Sequence, residues 1–131
     1  MGKKRRDILL MLLCLFVVFT FVFFSTKRIN KLKKFGIVKI GFIYDYNLAT
    51  KGSGSTLSYD FIAEGKKISS SKRYLRLSLS AAPNFRDRYF PVLYVPGDPS
   101  NNTLLTTPDD FGSFGMLYPD SLSWVRQYLN Y

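Results

Sequence analysis

Two different hydrophobic patterns divide this chain. Residues 8–24 form an apolar run of 17 residues that contains no charge and only one polar side chain, that of Thr20. As an α-helix this run would be apolar on every side and about 25 Å long, which is typical of a membrane span. Ser25 and Thr26 can lengthen the helix, so the pattern predicts a transmembrane helix over 8–26.

A cleaved signal peptide is the alternative interpretation of this run. Signal peptides carry an apolar stretch of about 7–15 residues, followed by a cleavage site with small residues. The apolar run is longer than that, and the residues that follow it, Phe23-Phe24-Ser25-Thr26-Lys27, offer no such site. The pattern therefore favours a retained anchor.

Short segments in which apolar and polar residues alternate follow the run. Val38, Ile40, Phe42 and Tyr44 alternate with other residues in a predicted strand over 35–46. A second strand over 57–63 leads through a tight turn at Glu64-Gly65-Lys66 into a return strand over 67–71, as in a β-hairpin. Further strands are predicted over 74–80, 90–96 and 103–106, loops over 47–56, 81–88 and 97–102, and an irregular segment over 108–118.

The C-terminal residues have the spacing of a helix. Asp120 or Ser121 can cap it, and Leu122, Val125 and Leu129 share one side. The predicted fold is therefore mainly β, with an N-terminal transmembrane helix, a small antiparallel barrel or sandwich and a short C-terminal helix. Its parts are a basic tail (1–7), the membrane helix (8–26), a basic connector (27–34) and a β-rich extramembrane domain (35–131).

The net charge of +10 is concentrated beside the apolar run. Residues 1–34 hold nine basic residues and one acid, whereas 35–131 hold ten basic and eight acidic residues. A nucleic-acid-binding domain would carry a basic stripe of its own, so we expect no nucleic-acid partner. Anionic lipid is the expected partner of the connector, whose basic residues are Lys27, Arg28, Lys31, Lys33 and Lys34.

Orientation follows from the position of the first span. The basic flanks on its two sides nearly cancel, so the positive-inside rule does not decide between the two orientations. A short N-terminal tail before a first span commonly stays in the cytoplasm. We therefore expect a single-pass protein, in a bacterial inner membrane, with its C-terminal domain outside the cytoplasm.

A set of residues between Gly41 and Leu105 resembles a family of small bacterial membrane proteins of unknown function. The set comprises Tyr59-x-Phe61, Glu64-Gly65-Lys66, Phe90-x-Val92-x-Tyr94-x-Pro96-x-x-Pro99 and Leu104-Leu105. The resemblance implies a small β-domain attached to one or two membrane helices, and it implies no catalytic residue. Pro91 and the C-terminal helix depart from the family pattern, which puts an identical sheet topology in doubt.

Residue types needed for common enzyme chemistry are missing. The chain contains no histidine, and its one cysteine, Cys14, lies inside the apolar run. These absences exclude histidine-based triads and most zinc sites. The segment Lys51-Gly52-Ser53-Gly54-Ser55 is a flexible loop rather than a phosphate loop, and the pair Asp109-Asp110 is expected to cap a turn. We therefore expect no catalytic, cofactor or metal site, no small-molecule substrate and no enzymatic activity.

Two binding functions remain. The first is an accessory or structural subunit of a larger membrane or cell-envelope complex, and the alternative is a membrane-tethered binding module such as a toxin-immunity protein. Tyr59, Phe61, Val92 and Tyr94 are expected to cover a core, although Tyr94 could instead begin an exposed loop that extends to Asn102. The candidate partner contacts are Tyr94, Pro96, Asp98, Pro99, Trp124 and Tyr128.

Overall fold

The computed structural model describes residues 2–48, 54–77 and 80–129 of the chain. It begins with one long helix, α1 (Lys3–Phe35), which runs unbroken from the basic tail through the apolar run and the connector. Its 33 residues extend about 50 Å. Within the described residues, α1 is the one helix long and apolar enough to cross a membrane, and none of its apolar window is buried.

Five antiparallel strands follow α1 and form a nearly closed, barrel-like sheet. Their order across the sheet is β3-β2-β1-β4-β5, so β3 and β5 are its two edges within the described residues. Of the two architectures predicted, barrel and sandwich, the chain adopts the barrel-like one. The strands are β1 (Ile37–Leu48), β2 (Ser55–Ala63), β3 (Lys66–Tyr74), β4 (Tyr89–Val95) and β5 (Asp98–Leu104).

Two tight turns fix the hairpins. Glu64 and Gly65 have φ angles of 54° and 77°, the positive values of a type I′ hairpin turn, which confirms the predicted turn. Gly97 has a φ of 84° and follows Pro96, a pairing that favours a type II turn. The predicted loop over 97–102 is therefore wrong, and the strand predicted over 103–106 begins earlier, because the chain reverses at Pro96-Gly97 and β5 runs from Asp98 to Leu104.

The predicted strand over 74–80 is also wrong in its placement. The return strand of the first hairpin continues to Tyr74, where β3 ends, and a turn follows. Residues 78–79, like residues 49–53 of the predicted loop, lie outside the described residues. β3 is longer than predicted because its nine residues pair along the whole length of β2.

Three short helices pack on the barrel. The predicted loop over 81–88 contains a 3₁₀ helix, Ala82–Phe85. The segment predicted to be irregular begins with α2 (Pro108–Ser113), and the predicted C-terminal helix is the 3₁₀ helix Asp120–Tyr128. The backbone of α2 is stabilised at its start by a capping box, in which the Thr107 and Asp110 side chains each bond the other residue's backbone N–H.

The core lies between the inner faces of the strands and these short helices. The residues that alternate along β2 and β4 are buried, and the prediction that Tyr59, Phe61, Val92 and Tyr94 cover a core is confirmed. Phe85 is fully buried against Phe90. Burying each large apolar side chain of this kind contributes roughly 1.5–3 kcal/mol relative to leaving it exposed.

The outer face of β1 carries large apolar residues, whereas a glycine occupies part of its inner face. Gly41 and Ile43 are buried, whereas Val38 and Ile40 are 45% and 64% exposed. A Cβ atom on Gly41 would lie 2.5 Å from Cγ2 of Val92, so only glycine permits this close approach of β1 and β4. The large side chains that predicted this strand are therefore not its core face.

Candidate functional site

The candidate partner contacts fall into two separate groups. Pro96 and Asp98 are exposed at the turn between β4 and β5, with Pro99 partly exposed beside them. Trp124 and Tyr128 are half-buried against Phe85. Trp124 also contacts Phe90. Phe90 comes six residues before Pro96, which corresponds to about 20 Å along a strand, so the two groups lie near opposite ends of β4.

Tyr94 is only 3% exposed, and its ring lies 5.5 Å from that of Phe61. It therefore lies inside the barrel, not in an exposed loop.

The turn between β4 and β5 lies beside the end of the apolar run. Phe24, the last residue of that run, lines a surface cleft with Asp98 and Asn101. The two hairpin turns are also joined, because Gly97 N donates a 2.6 Å hydrogen bond to Glu64 Oε1. This end of the barrel therefore points toward the apolar part of α1.

One side of the connector packs on the barrel. Arg28 Nη2 donates to Ser100 O at 3.1 Å, and Asn101 Nδ2 donates to Arg28 O at 3.2 Å. Leu32 is 6% exposed, and Gly36, which follows the last residue of α1, packs against Leu93. These contacts hold the C-terminal part of α1 across β4 and β5.

The five basic residues of the connector are therefore not equivalent. Lys27, Lys31 and Lys34 line one groove on α1, at the helical spacing that places them on one side. Arg28 faces the barrel. Lys33 is exposed in the last turn of the helix. Lys34 comes ten residues after Phe24, so a helix perpendicular to the bilayer would place it about 15 Å beyond the apolar run.

A partly buried polar cluster closes the barrel between its two edge strands, a region that we call the seam. Lys72 on β3 donates to Asp110 Oδ1 at 2.8 Å, Thr103 Oγ1 at 3.0 Å and Leu104 O at 2.9 Å. Tyr74 donates to Asp110 Oδ2 at 2.8 Å. β3 therefore contacts β5 and α2 through polar side chains at this place.

Asp110 is the acceptor at the centre of this cluster. Besides Lys72 and Tyr74, its carboxylate accepts hydrogen bonds from the backbone N–H groups of Thr106 and Thr107, at 3.0 and 3.2 Å. The prediction that the Asp109-Asp110 pair caps a turn is confirmed for Asp110. Lys72 compensates its charge, so removing either partner would leave the other without a counter-ion in a partly buried site.

Burial, reinforced by the negative charge of Asp110, raises the pKa of Tyr74 well above its ordinary value of 10.0. The folded state then keeps this proton at a pH where the unfolded state releases it. Stability from Tyr74 is therefore fully present below pH 10 and is lost as the pH rises from there toward the folded-state pKa.

We expect the Tyr74→Phe variant to lose less stability than the natural chain between about pH 9 and pH 11, because it has no buried phenol to ionise. Chemical denaturation followed by the fluorescence of Trp124 at several pH values measures this difference in slope. Tyr89→Phe, at a site that is 68% exposed, is the matched control and should keep the natural slope. Equal slopes for the natural chain and Tyr74→Phe would contradict this assignment.

An exposed apolar surface, which we call the apolar wall, lies on the outer side of β1 and its neighbours. We define it by Val38, Ile40, Ile62 and Tyr89, whose exposed fractions are 45%, 64%, 57% and 68%. Ile40 pairs with Pro91 on β4, and the Tyr89 ring lies 5.1 Å from that of Phe42. The wall therefore crosses three neighbouring strands.

Comparison with known proteins identifies no relative: no protein-family model, curated protein or solved structure matches the sequence. The resemblance to small bacterial membrane proteins therefore stays a prediction.

Sequence reasoning missed the seam and the apolar wall. Thr107-x-x-Asp110 is close to the capping-box pattern and could have indicated the start of α2. Lys72 carries no such signal, because a lysine in a strand is ordinarily solvated. Val38, Ile40 and Ile62 lie in predicted strands, whereas Tyr89 lies just before one, and nothing in the alternation indicates which face of β1 is outward.

Proposed function

We propose that this chain is a membrane-anchored, non-enzymatic accessory subunit that docks on another membrane protein through the apolar wall. The observation that carries this proposal is the exposure of Val38, Ile40 and Ile62 on neighbouring strands of a domain whose other large apolar side chains are mostly buried. Clustered exposed apolar residues on a small domain are typical of protein interfaces.

Anchoring through α1 is part of the proposal. The apolar residues of α1 are exposed along its length, and lipid is the surrounding that stabilises such a helix. In this arrangement the barrel lies directly against the membrane, on the non-cytoplasmic side. Protease treatment of intact cells without an outer barrier should then cut the barrel, whereas an inverted orientation would protect it.

The bilayer itself is a poor occupant for the apolar wall. Val38 of the wall pairs with Leu93, which lies beside Gly36 at the end of α1, and α1 ends 11 residues, about 16 Å, beyond Phe24. The layer of lipid headgroups is only about 5–8 Å thick on each side. A different protein is the occupant we favour.

Photocrosslinking tests this docking. A photoreactive amino acid in place of Ile40 should give a discrete crosslink to a second protein in native membranes, whereas the same group at exposed Ser123, on the C-terminal 3₁₀ helix, should not. Self-crosslinks alone, or equal products from both positions, would contradict the proposal. A crosslink to a protein that arrives from outside the cell would instead favour the immunity function.

An Ile40→Asp variant provides the complementary measurement. Because Ile40 is 64% exposed, we expect the barrel to stay folded, while a carboxylate buried at the interface weakens docking. Recovery of the partner after gentle detergent extraction should fall about tenfold, the ratio that corresponds to about 1.4 kcal/mol. Unchanged recovery, with the fold verified by the fluorescence of Trp124, would exclude the apolar wall as the interface.

A further inference from the structure

A cleft of about 480 Å³ lies between α1 and the seam. On the helix side it is lined by Ser25, Arg28 and Ile29, and on the barrel side by Asn102, Thr103 and Phe114, among others. Polar and apolar side chains thus face each other across the cleft. Leu32 also lines the cleft and is buried between α1 and the barrel, so it forms one boundary of the cleft.

The cleft lies at the level where α1 leaves its apolar run. Ser25 follows Phe24 directly, and Arg28 comes four residues after Phe24, a rise of about 6 Å. In the anchored arrangement this distance falls within the headgroup layer, which is about 5–8 Å thick. Phe21 and Val22, four and three residues before Ser25, continue the same side of α1 into the apolar run, and both are exposed.

Arg28 is the group in this cleft that suits a phosphate. Lys72 also lines the cleft, but it already donates to three oxygens of the seam and neutralises Asp110. Within the described residues Arg28 makes one side-chain hydrogen bond, from Nη2 to Ser100 O. A guanidinium has five donors in a planar fork that matches phosphate oxygens, so a ligand can bond to the others.

The other lining side chains suit the rest of a lipid headgroup. Ser25 is an exposed hydroxyl residue, able to donate a hydrogen bond to an ester or glycerol oxygen. Ile29 and Phe114 offer apolar surface beside it. A divalent cation suits the cleft poorly, because the described residues contain no group of three or more carboxylate, histidine or cysteine ligands.

We infer that this cleft binds one anionic phospholipid, with its phosphate on Arg28 and its acyl chains along the exposed apolar side of α1 at Phe21 and Val22. The inference rests on the proposed anchoring of α1. The bound lipid would fill the gap between α1 and the seam and so hold the barrel in one orientation on the membrane. This site is separate from the apolar wall, so a partner and the lipid can bind together.

Native mass spectrometry of the full-length chain, extracted in mild detergent from membranes that contain phosphatidylglycerol, tests the inference. The natural chain should retain one phospholipid, and Arg28→Gln should retain about fivefold less. Lys27→Gln is the matched control, since it removes the same charge at nearly the same depth but Lys27 does not line this cleft. Equal retention by Arg28→Gln and the natural chain would overturn the inference.

Two further measurements show which part of the phospholipid the cleft recognises. Inorganic phosphate at millimolar concentration should not displace the lipid, and diacylglycerol, which lacks the phosphate, should not be retained. Retention of diacylglycerol to the same extent would mean that the cleft binds acyl chains without reading the phosphate, and would overturn the assignment to Arg28.

A second variant tests the cleft without changing its charge. Ile29→Trp should fill the cleft and expel the lipid, and because Ile29 is 46% exposed the fold should tolerate it. Alkaline extraction of membranes tests the proposed anchoring of α1 separately from lipid binding in the cleft. If the natural chain is released by alkali, the proposed anchoring fails. If it stays in the membrane while Ile29→Trp and Arg28→Gln keep the lipid, only the cleft inference fails.

Discussion

Asp110→Ala is expected to lower the free energy of unfolding by about 3 kcal/mol. The substitution leaves the ammonium of Lys72 without its counter-ion in a site where the Lys72 side chain is only 26% exposed. It also removes the acceptor for Tyr74 and for the backbone N–H groups of Thr106 and Thr107. Denaturant unfolding of the chain in detergent, followed by the fluorescence of Trp124, the single tryptophan, measures the change.

The adjacent carboxylate provides a closely matched control. Asp109 pairs with Arg76 at 3.5 Å, but both side chains are well exposed, at 73% and 65%. Because exposed ion pairs contribute little, Asp109→Ala should change the free energy of unfolding by less than about 1 kcal/mol. Similar effects of the two substitutions would show that the seam does not close the barrel through Asp110.

Phe85→Ala should destabilise the chain by about 3–5 kcal/mol, since it removes a fully buried aromatic ring. The ring contacts Phe90, Trp124 and Tyr128, with centroid separations of 5.6, 5.4 and 6.2 Å. These contacts attach the C-terminal 3₁₀ helix to the barrel. We therefore expect faster proteolytic cleavage after Arg126 as well as a lower denaturation midpoint.

Leu117→Ala is the control for loss of apolar volume, because Leu117 is 95% exposed. It should leave both the denaturation midpoint and the cleavage rate unchanged. If Phe85→Ala lowered the midpoint but left cleavage unchanged, the C-terminal 3₁₀ helix would be held by contacts other than those of Phe85.

The two turns differ in how far the sequence could predict them. Glu64-Gly65 was predictable because short-range turn chemistry and the alternation on both sides agree. Pro96-Gly97 carries an equally local signal, but it is followed by a run of turn-forming residues that suggested a long loop. Asp98 and Pro99 instead begin β5, an edge strand, where proline is tolerated because one side needs no ladder hydrogen bond.

Local patterns also failed at the seam. A lysine and a tyrosine on β3 and an aspartate on α2 are separated by more than 30 residues, and each is ordinary in its own segment. Their association depends on how nearly the barrel closes. That closure follows from the twist and register of all five strands, which no single segment encodes.

The sequence by itself determined the long apolar helix, the succession of short antiparallel strands and the buried alternation on β2 and β4, because these depend on periodicity and composition over a few residues. The tertiary structure alone decided that Gly41 faces Val92 while Val38 and Ile40 face outward. It also decided that Arg28 turns toward the barrel rather than toward lipid alone. The physical reason is the same in both cases: a strand or a helix offers two sides, and only the elements packed against it determine which one is covered.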